Sequence, residues 1–250
     1  VSLPLFVAGR GVLDGVVPGA SLVLGGDEGR HAATVRRIRA GERVEVADGG
    51  GLVVRCLVVT AGRDRLDLVV EEATDVAARL PRLVLVQALA KGGRDERAVE
   101  TATEFGVDAV VPWSAERSVV RWSGERGERS RRRWEATALA AAKQSRRASV
   151  PVVEPLATTA SLAARAAAGE GLLVLHEDAC ELLTRVELPT PGADAALLVV
   201  VGPEGGISPA ELQRLMAAGG RVVRLGPEVL RSSSAGCAAL AVLSMRLGRW

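Results

Sequence analysis

Beyond residue 81 the chain changes its hydrophobic period, and that change limits the fold more than any other feature of its 250 residues. Runs of β-branched residues and leucine at 83–87, 109–112, 172–175, 196–201 and 221–225, with a shorter one near 150–153, read as strands. Between and after them lie segments of helical spacing at 95–105, 131–144, 161–168, 209–218 and 234–247. In the first of these Ala98, Val99, Ala102 and Phe105 share one face, and Gly106 stands where the helix should stop. Strands alternating with helices predict an α/β domain built on a mainly parallel sheet, whose strands are apolar throughout because both faces are covered.

The first 75 residues follow a different rule. Short alternating or β-branched runs at 21–24, 42–46, 52–59 and 65–70 are separated by glycine turns at 48–51 and 61–62, with one or two helical turns near 31–38. Closely spaced strands of this kind predict a small β-barrel. The division is expected between residues 75 and 82, giving a barrel over 1–75 and an α/β domain over 76–250. An apolar content of 48% supports at least one full core. No apolar run nears the roughly 18 residues that span a bilayer, and the opening residues lack the basic lead-in of a secretion signal. A cytoplasmic location is the expectation.

Cys56, Cys180 and Cys237 are far apart, and His31 and His176 have no partner at metal-ligand spacing, so neither a disulfide framework nor a metal site is expected. The cysteines read as small core residues rather than nucleophiles. A net charge of +2 gives no uniform nucleic-acid surface, but the distribution is uneven. Between 117 and 147 there are ten arginines and lysines against three glutamates, and Arg36, Arg37 and Arg39 form a second cluster. Two basic patches suit a phosphate backbone; a solvated helix face in an arginine-rich chain is the competing reading.

In parallel sheets ligands collect beyond the carboxyl ends of strands, which draws attention to three loops at 175–177, 202–206 and 225–236. The second, Gly-Pro-Glu-Gly-Gly, runs into Ser208-Pro209-Ala210-Glu211, a capping box with proline at the first helical position. Neither the Gly-Lys-Ser/Thr of a nucleotide phosphate loop nor a GxGxxG fingerprint is present, which disfavours ATP hydrolysis and ordinary NAD binding. Gly-Pro-Glu recurs at 226–228, so two such turns could wall one pocket made largely of backbone amides and carbonyls. That pocket suits a ligand with a purine and a positive centre, a description met by S-adenosyl-L-methionine.

The paired stretches "VGPEGGISPAEL" and "RLGPEVLRSSSA" resemble the signature of the ribosomal small-subunit RNA methyltransferase E family, in the SPOUT class of knotted methyltransferases. Stretches at 31–51, 87–122 and 133–153 are similar to the same family in order and spacing. The resemblance implies a PUA-like RNA-binding barrel, a methyltransferase domain with a trefoil knot, S-adenosyl-L-methionine as cofactor, and a homodimer. It implies N3-methylation of a decoding-region uridine of 16S ribosomal RNA in the small subunit, without membrane or metal. Rival readings are a knotted methyltransferase acting on a ribose 2′-hydroxyl or a tRNA base, and an inactive RNA-binding assembly factor.

Carried over residue by residue, the cofactor pocket comprises Leu175, His176 and Glu177, then Gly202, Pro203, Glu204, Gly205, Gly206 and Ile207. Its third wall would be Leu225 and Gly226, followed by Leu230, Arg231, Ser232, Ser233, Ser234 and Ala235. Ser233 stands where many relatives have glutamate, and Thr101 where they often have lysine.

Methylating uridine N3 requires loss of an imide proton, in-line placement of the nitrogen, and donors aimed at the carbonyl oxygens where negative charge gathers. Arg231 is the first candidate for such a donor and Arg10 the second, the latter supplied across a dimer interface; a helix-start ion pair is the alternative for Arg231. Glu204 either orients the substrate or braces its loop. His176 reads as a strand-end residue rather than a proton carrier, and His31 either faces RNA or caps a short helix. Arg36, Arg37, Arg39, Lys91, Arg94, Arg117 and Arg121 would grip the RNA backbone. With four Trp and two Phe, a platform of stacked bases is not expected.

Overall fold

A computed structural model describes residues 3–9, 11–188 and 196–250. The chain divides into two units, one of Val1–Ala78 with Ala142–Val150, the other of Arg79–Ala141 with Pro151–Trp250.

The first unit carries β1 (Leu5–Val7), β2 (Ser21–Leu24), α1 (Gly26–Arg30), a π-helical turn at His31–Val35, β3 (Arg43–Ala47), β4 (Leu52–Ala61) and β5 (Leu66–Asp75). They form one sheet in the order β1-β3-β4-β5-β2, with β1 parallel to β3 and the other pairings antiparallel. Alternation does the sorting: Val44 and Val46 of β3, Val54, Cys56 and Val58 of β4, and Leu66, Leu68 and Val70 of β5 all point into one core with Phe6 and Leu13. The helical segment begins five residues before the expected 31. Its first turn contains Gly26 and Gly29, which weaken any sequence-based helix reading. Gly29 is there for space, since a Cβ would run into the carbonyl oxygens of Leu24 and Asp64.

The second unit carries β6 (Arg82–Ala88), α2 (Arg94–Glu104), β7 (Ala109–Trp113), α3 (Gly124–Gln144), β8 (Val152–Val153), α4 (Thr159–Ala167), β9 (Gly171–Leu175), β10 (Glu181–Leu182), β11 (Ala196–Val201), α5 (Pro209–Ala217), β12 (Arg221–Arg224) and α6 (Ser232–Arg246). Its seven strands form a sheet in the order β10-β12-β9-β11-β6-β7-β8, and every pairing is parallel. All six residues of β11 are buried, as a central strand covered on both faces requires. One face of the sheet packs Val84, Val86, Val174, Leu198 and Val200 against Leu162 and Leu215. The other receives α6, where Gly236 approaches so closely that a Cβ would lie 2.6 Å from Leu85.

Helix α3 starts seven residues earlier than its apolar spacing predicts. The added residues are charged, and they are held by Arg129–Glu125 and Arg131–Glu128 pairs and by Gly127 packing on Trp122, whose ring meets Trp134 edge-on at 5.1 Å. Strand β10, two residues long, gave no sequence signal. No helix among the described residues is long and apolar enough to cross a membrane.

Candidate functional site

The carboxyl ends of β9, β11 and β12 open onto a cleft of about 440 Å³, within the range of small-molecule sites. Its walls are three loops. Leu175, His176 and Glu177 follow β9; Gly202, Pro203, Glu204, Gly206 and Ile207 follow β11; Leu225, Gly226, Glu228, Val229, Leu230 and Arg231 follow β12 and lead to Ser232 and Ala235 of α6. Arg94 closes the cleft from the start of α2.

The middle loop is built by specific contacts. Gly206 has φ +74°, a left-handed conformation that glycine adopts without strain, and a Cβ on Gly202 would lie 2.7 Å from the Ile207 side chain. The loop then enters α5 through a capping box in which Glu211 N donates to Ser208 Oγ at 3.3 Å and Ser208 N donates to Glu211 Oε2 at 3.4 Å. The buried Glu211 does more than cap. Its Oε1 accepts from Glu116 N at 3.0 Å and from Thr159 Oγ1 at 2.6 Å, while Ser208 Oγ donates to Glu116 Oε2 at 2.5 Å. The segment after β7 is thereby pinned to the exit of the loop, and it carries Arg117, whose Nη1 donates to the Gly205 carbonyl at 3.2 Å.

Three residues expected in the cofactor pocket do not line this cleft. Gly205 faces Arg117, and neither Ser233 nor Ser234 lines the cleft; both lie on the first turn of α6. Arg94, Arg117 and Arg121, expected to hold RNA, bind their own chain: Arg94 Nη1 donates to Glu204 Oε1 at 2.8 Å, and Arg121 donates to the carbonyls of Ala115 and Glu116, each at 2.6 Å. Lys91 is exposed in the loop between β6 and α2. Arg36, Arg37 and Arg39 are exposed in the first unit, where the His31 ring meets Phe6 edge-on at 6.3 Å. Arg10 lies outside the described residues. His176 Nδ1 accepts from Asp178 N at 3.2 Å, so that nitrogen is engaged in the turn leaving β9.

Val201, Arg224, Glu228 and Val229 line the cleft although sequence reasoning passed over them. Arg224 and Val201 are the last residues of their strands, a position that would have marked them had the strand ends been read as part of the site. Two buried polar atoms in this lining, Arg224 Nε and Ser232 Oγ, have no hydrogen-bond partner within the protein. Burial pushes the Cys237 thiol up to about 11, and Cys56 likewise to about 11, so neither is a ready nucleophile. Among the described residues no group of three or more His, Cys, Asp or Glu side chains is placed to hold a metal ion.

Residues 77–244 match the family described as RNA methyltransferase domain, and residues 24–71 match the RNA methyltransferase PUA domain. A Mycobacterium tuberculosis protein named ribosomal RNA small subunit methyltransferase E is 46% identical over 236 residues, covering 93% of this chain and 89% of the relative. The chain belongs to the ribosomal RNA small subunit methyltransferase E family. The Bacillus subtilis member of the family is 30% identical, with 88% of each chain covered. Among solved structures, the Neisseria gonorrhoeae member, crystallised with S-adenosyl methionine, superposes with a TM-score of 0.83 at 27% identity and covers 98% of both chains. A methyltransferase from Legionella pneumophila, solved with bound cofactor SAM, gives 0.82 at 25% identity with the same coverage. The family fold, a parallel-sheet methyltransferase domain with a PUA-like domain before it, is the fold of this chain.

Proposed function

We propose that this chain methylates ribosomal RNA of the small subunit with S-adenosyl-L-methionine, and that its target is N3 of a decoding-region uridine in 16S RNA. The observation that carries the reading is the cleft at the carboxyl end of the parallel sheet, walled by both Gly-Pro-Glu turns, in a member of this family. The residues suit the cofactor. Gly202 lets Ile207 pack against the loop at the cleft wall, and the unpartnered Arg224 Nε and Ser232 Oγ are donors in search of acceptors.

S-adenosyl-L-methionine, when bound, supplies an electrophilic methyl group. The protein's task is placement and charge stabilisation. The strand-end loops hold the reactants at fixed positions, and Arg231, exposed on the cleft wall, donates to a carbonyl oxygen of the base as negative charge spreads from N3. Arg10 is the second candidate for that role. Glu204, bonded to Arg94, braces its loop. The target base must be unpaired or extruded, at a cost of roughly a few kcal/mol. Exposed Arg36, Arg37, Arg39 and Lys91, with His31, would hold the surrounding phosphates.

In this reading residues 1–75 bind RNA and 76–250 carry the chemistry. The C-terminal backbone is threaded as a trefoil knot, and two chains form a homodimer in the cytoplasm. Support for the knotted path is the return of α6 against α2, β6 and β11 after β12 has paired beyond β9. Support for a dimer is the exposure of Met245 and Trp250 at the end of an α6 rich in apolar residues. Ser233 lies off the cleft, so its difference from the family glutamate leaves the walls intact, which favours an active enzyme over an inactive assembly factor.

The test is methyl transfer from labelled S-adenosyl-L-methionine to small subunits lacking their normal modification, followed by nucleoside mass spectrometry. 3-Methyluridine is the expected product. A methyl on ribose, or transfer to tRNA alone, would overturn the substrate assignment. Cofactor binding without transfer to any RNA would favour the inactive factor.

A further inference from the structure

Among the described residues five buried side-chain atoms lack a hydrogen-bond partner, and two of the five, Arg224 Nε and Ser232 Oγ, belong to residues lining the same cleft. A buried donor left unpaired costs free energy, so native structures seldom keep one without a use. Arg224 is the stronger case because its charge also lacks a counterion: among the described residues no carboxylate lies within ion-pair distance of it. Its backbone is fixed, with Leu183 N donating to its carbonyl at 2.8 Å and Leu182 opposite it in the β10 register. The side chain therefore departs from a rigid strand end, half-buried, in a wall that also contains the carboxylates of Glu177 and Glu228.

We propose that Arg224 recognises the carboxylate of the cofactor's methionyl end, with the Ser232 hydroxyl as a second donor in the same cleft. The inference rests on S-adenosyl-L-methionine being the ligand. That molecule has one full negative charge, on the carboxylate; its adenine and ribose are neutral, and its sulfonium and ammonium are positive. An unpaired guanidinium matches only the first, whereas Glu177 and Glu228 suit the cations. Arg94 is not available for this role, being tied to Glu204, and Arg231 is exposed where Arg224 Nε is buried. Charge-assisted bonds from a planar guanidinium are the strong ones, and they gain strength away from water. Neither Gly-Pro-Glu turn supplies a counterion for that carboxylate, because the charged side chains they bring to the cleft, Glu204 and Glu228, are acidic.

The test compares S-adenosyl-L-methionine with decarboxylated S-adenosylmethionine, which differs by the carboxylate alone, in calorimetric titrations of the full chain. The parent should prefer the carboxylated molecule by about tenfold or more. In Arg224→Met that preference should fall below about threefold through weaker binding of S-adenosyl-L-methionine, with binding of the decarboxylated molecule unchanged. A preference kept in Arg224→Met, or none in the parent, overturns the inference. Arg224→Gln repeats the comparison should the methionine variant fail to fold, with the same two readings. If the folded parent binds neither molecule, the proposed function fails and the inference goes with it.

Discussion

Arg94 Nη1 lies 2.8 Å from Glu204 Oε1, tying the first turn of α2 to the loop that leaves β11 across the mouth of the cleft. With side chains 44% and 28% exposed, the pair should contribute only about 0–1 kcal/mol to folding stability. Its effect should appear in binding. Arg94→Ala and Glu204→Ala are each expected to weaken S-adenosyl-L-methionine by about three- to tenfold, and the double variant by no more than either single one. Calorimetry of the four proteins checks this; additive losses would show that the two side chains do not act as a unit.

Gly205 has Arg117 where a side chain would go: a Cβ would lie 3.2 Å from Arg117 Cβ and 3.3 Å from its carbonyl oxygen. Gly205→Val should therefore shift the loop, costing about 1–3 kcal/mol of stability, and should raise the cofactor dissociation constant by about tenfold or more. Arg117→Ala in the same chain should restore little of the stability, since the Cβ and carbonyl oxygen that are struck both remain. Thermal melts and titrations of the single and double variants provide the comparison.

Glu211 is 8% exposed and serves the α5 cap, Glu116 N and Thr159 Oγ1 together. Its replacement by alanine removes a cap and leaves buried donors unpaired, an expected loss of about 2–4 kcal/mol in urea unfolding. Glu211→Gln, which retains one acceptor oxygen, should lose less.

Such linkages explain what could be read in the chain and what could not. Residues 196–201 announced a central strand because burial on both faces demands an uninterrupted apolar run. The opening turns of α1 and α3 did not, because Gly26, Gly29, Gly124 and Gly127 oppose helix locally and tertiary contacts hold the segments in place. The cleft was visible through its repeated Gly-Pro-Glu turns. The role of individual arginines was hidden, since Arg94, Arg117 and Arg121 look like any basic residue until Glu204, the Gly205 carbonyl and the Ala115 carbonyl are brought beside them. Arg224 was missed for a related reason: a strand end lines a ligand site only once its neighbours in the sheet are known, and β12 gains β9 and β10 through long-range pairing.

Arg231 provides a separation of binding from turnover. Its carbonyl accepts from Ser234 N at 2.8 Å and Ala235 N at 2.9 Å, and its side chain makes no capping bond, so Arg231→Ala should preserve the start of α6. Cofactor affinity should stay within about threefold while single-turnover methyl transfer falls by about 10²–10³, the usual effect of losing a donor aimed at developing charge. Normal turnover would remove Arg231 from that role.

The thiols make a pH-dependent prediction. Cys180 is exposed, whereas Cys56 and Cys237 are buried, with burial pushing each up to about 11. Because the thiolate is the reactive form, the two buried cysteines should resist iodoacetamide in native protein at neutral pH and react only on unfolding or as pH rises towards 11. Mass spectrometry of briefly labelled native protein should find the modification at Cys180.

The order of strands also sets a timetable for biosynthesis. β11 occupies residues 196–201 yet lies between β6 and β9, so an emerging chain cannot complete the middle of its sheet until most of it has been translated. The strands made earlier must wait with their apolar edges uncovered, and two of the three cleft walls come from residues made after β11. A ribosome making this protein must therefore nearly finish before the product has anywhere to bind its ligand, which exposes a stalled or truncated chain to aggregation.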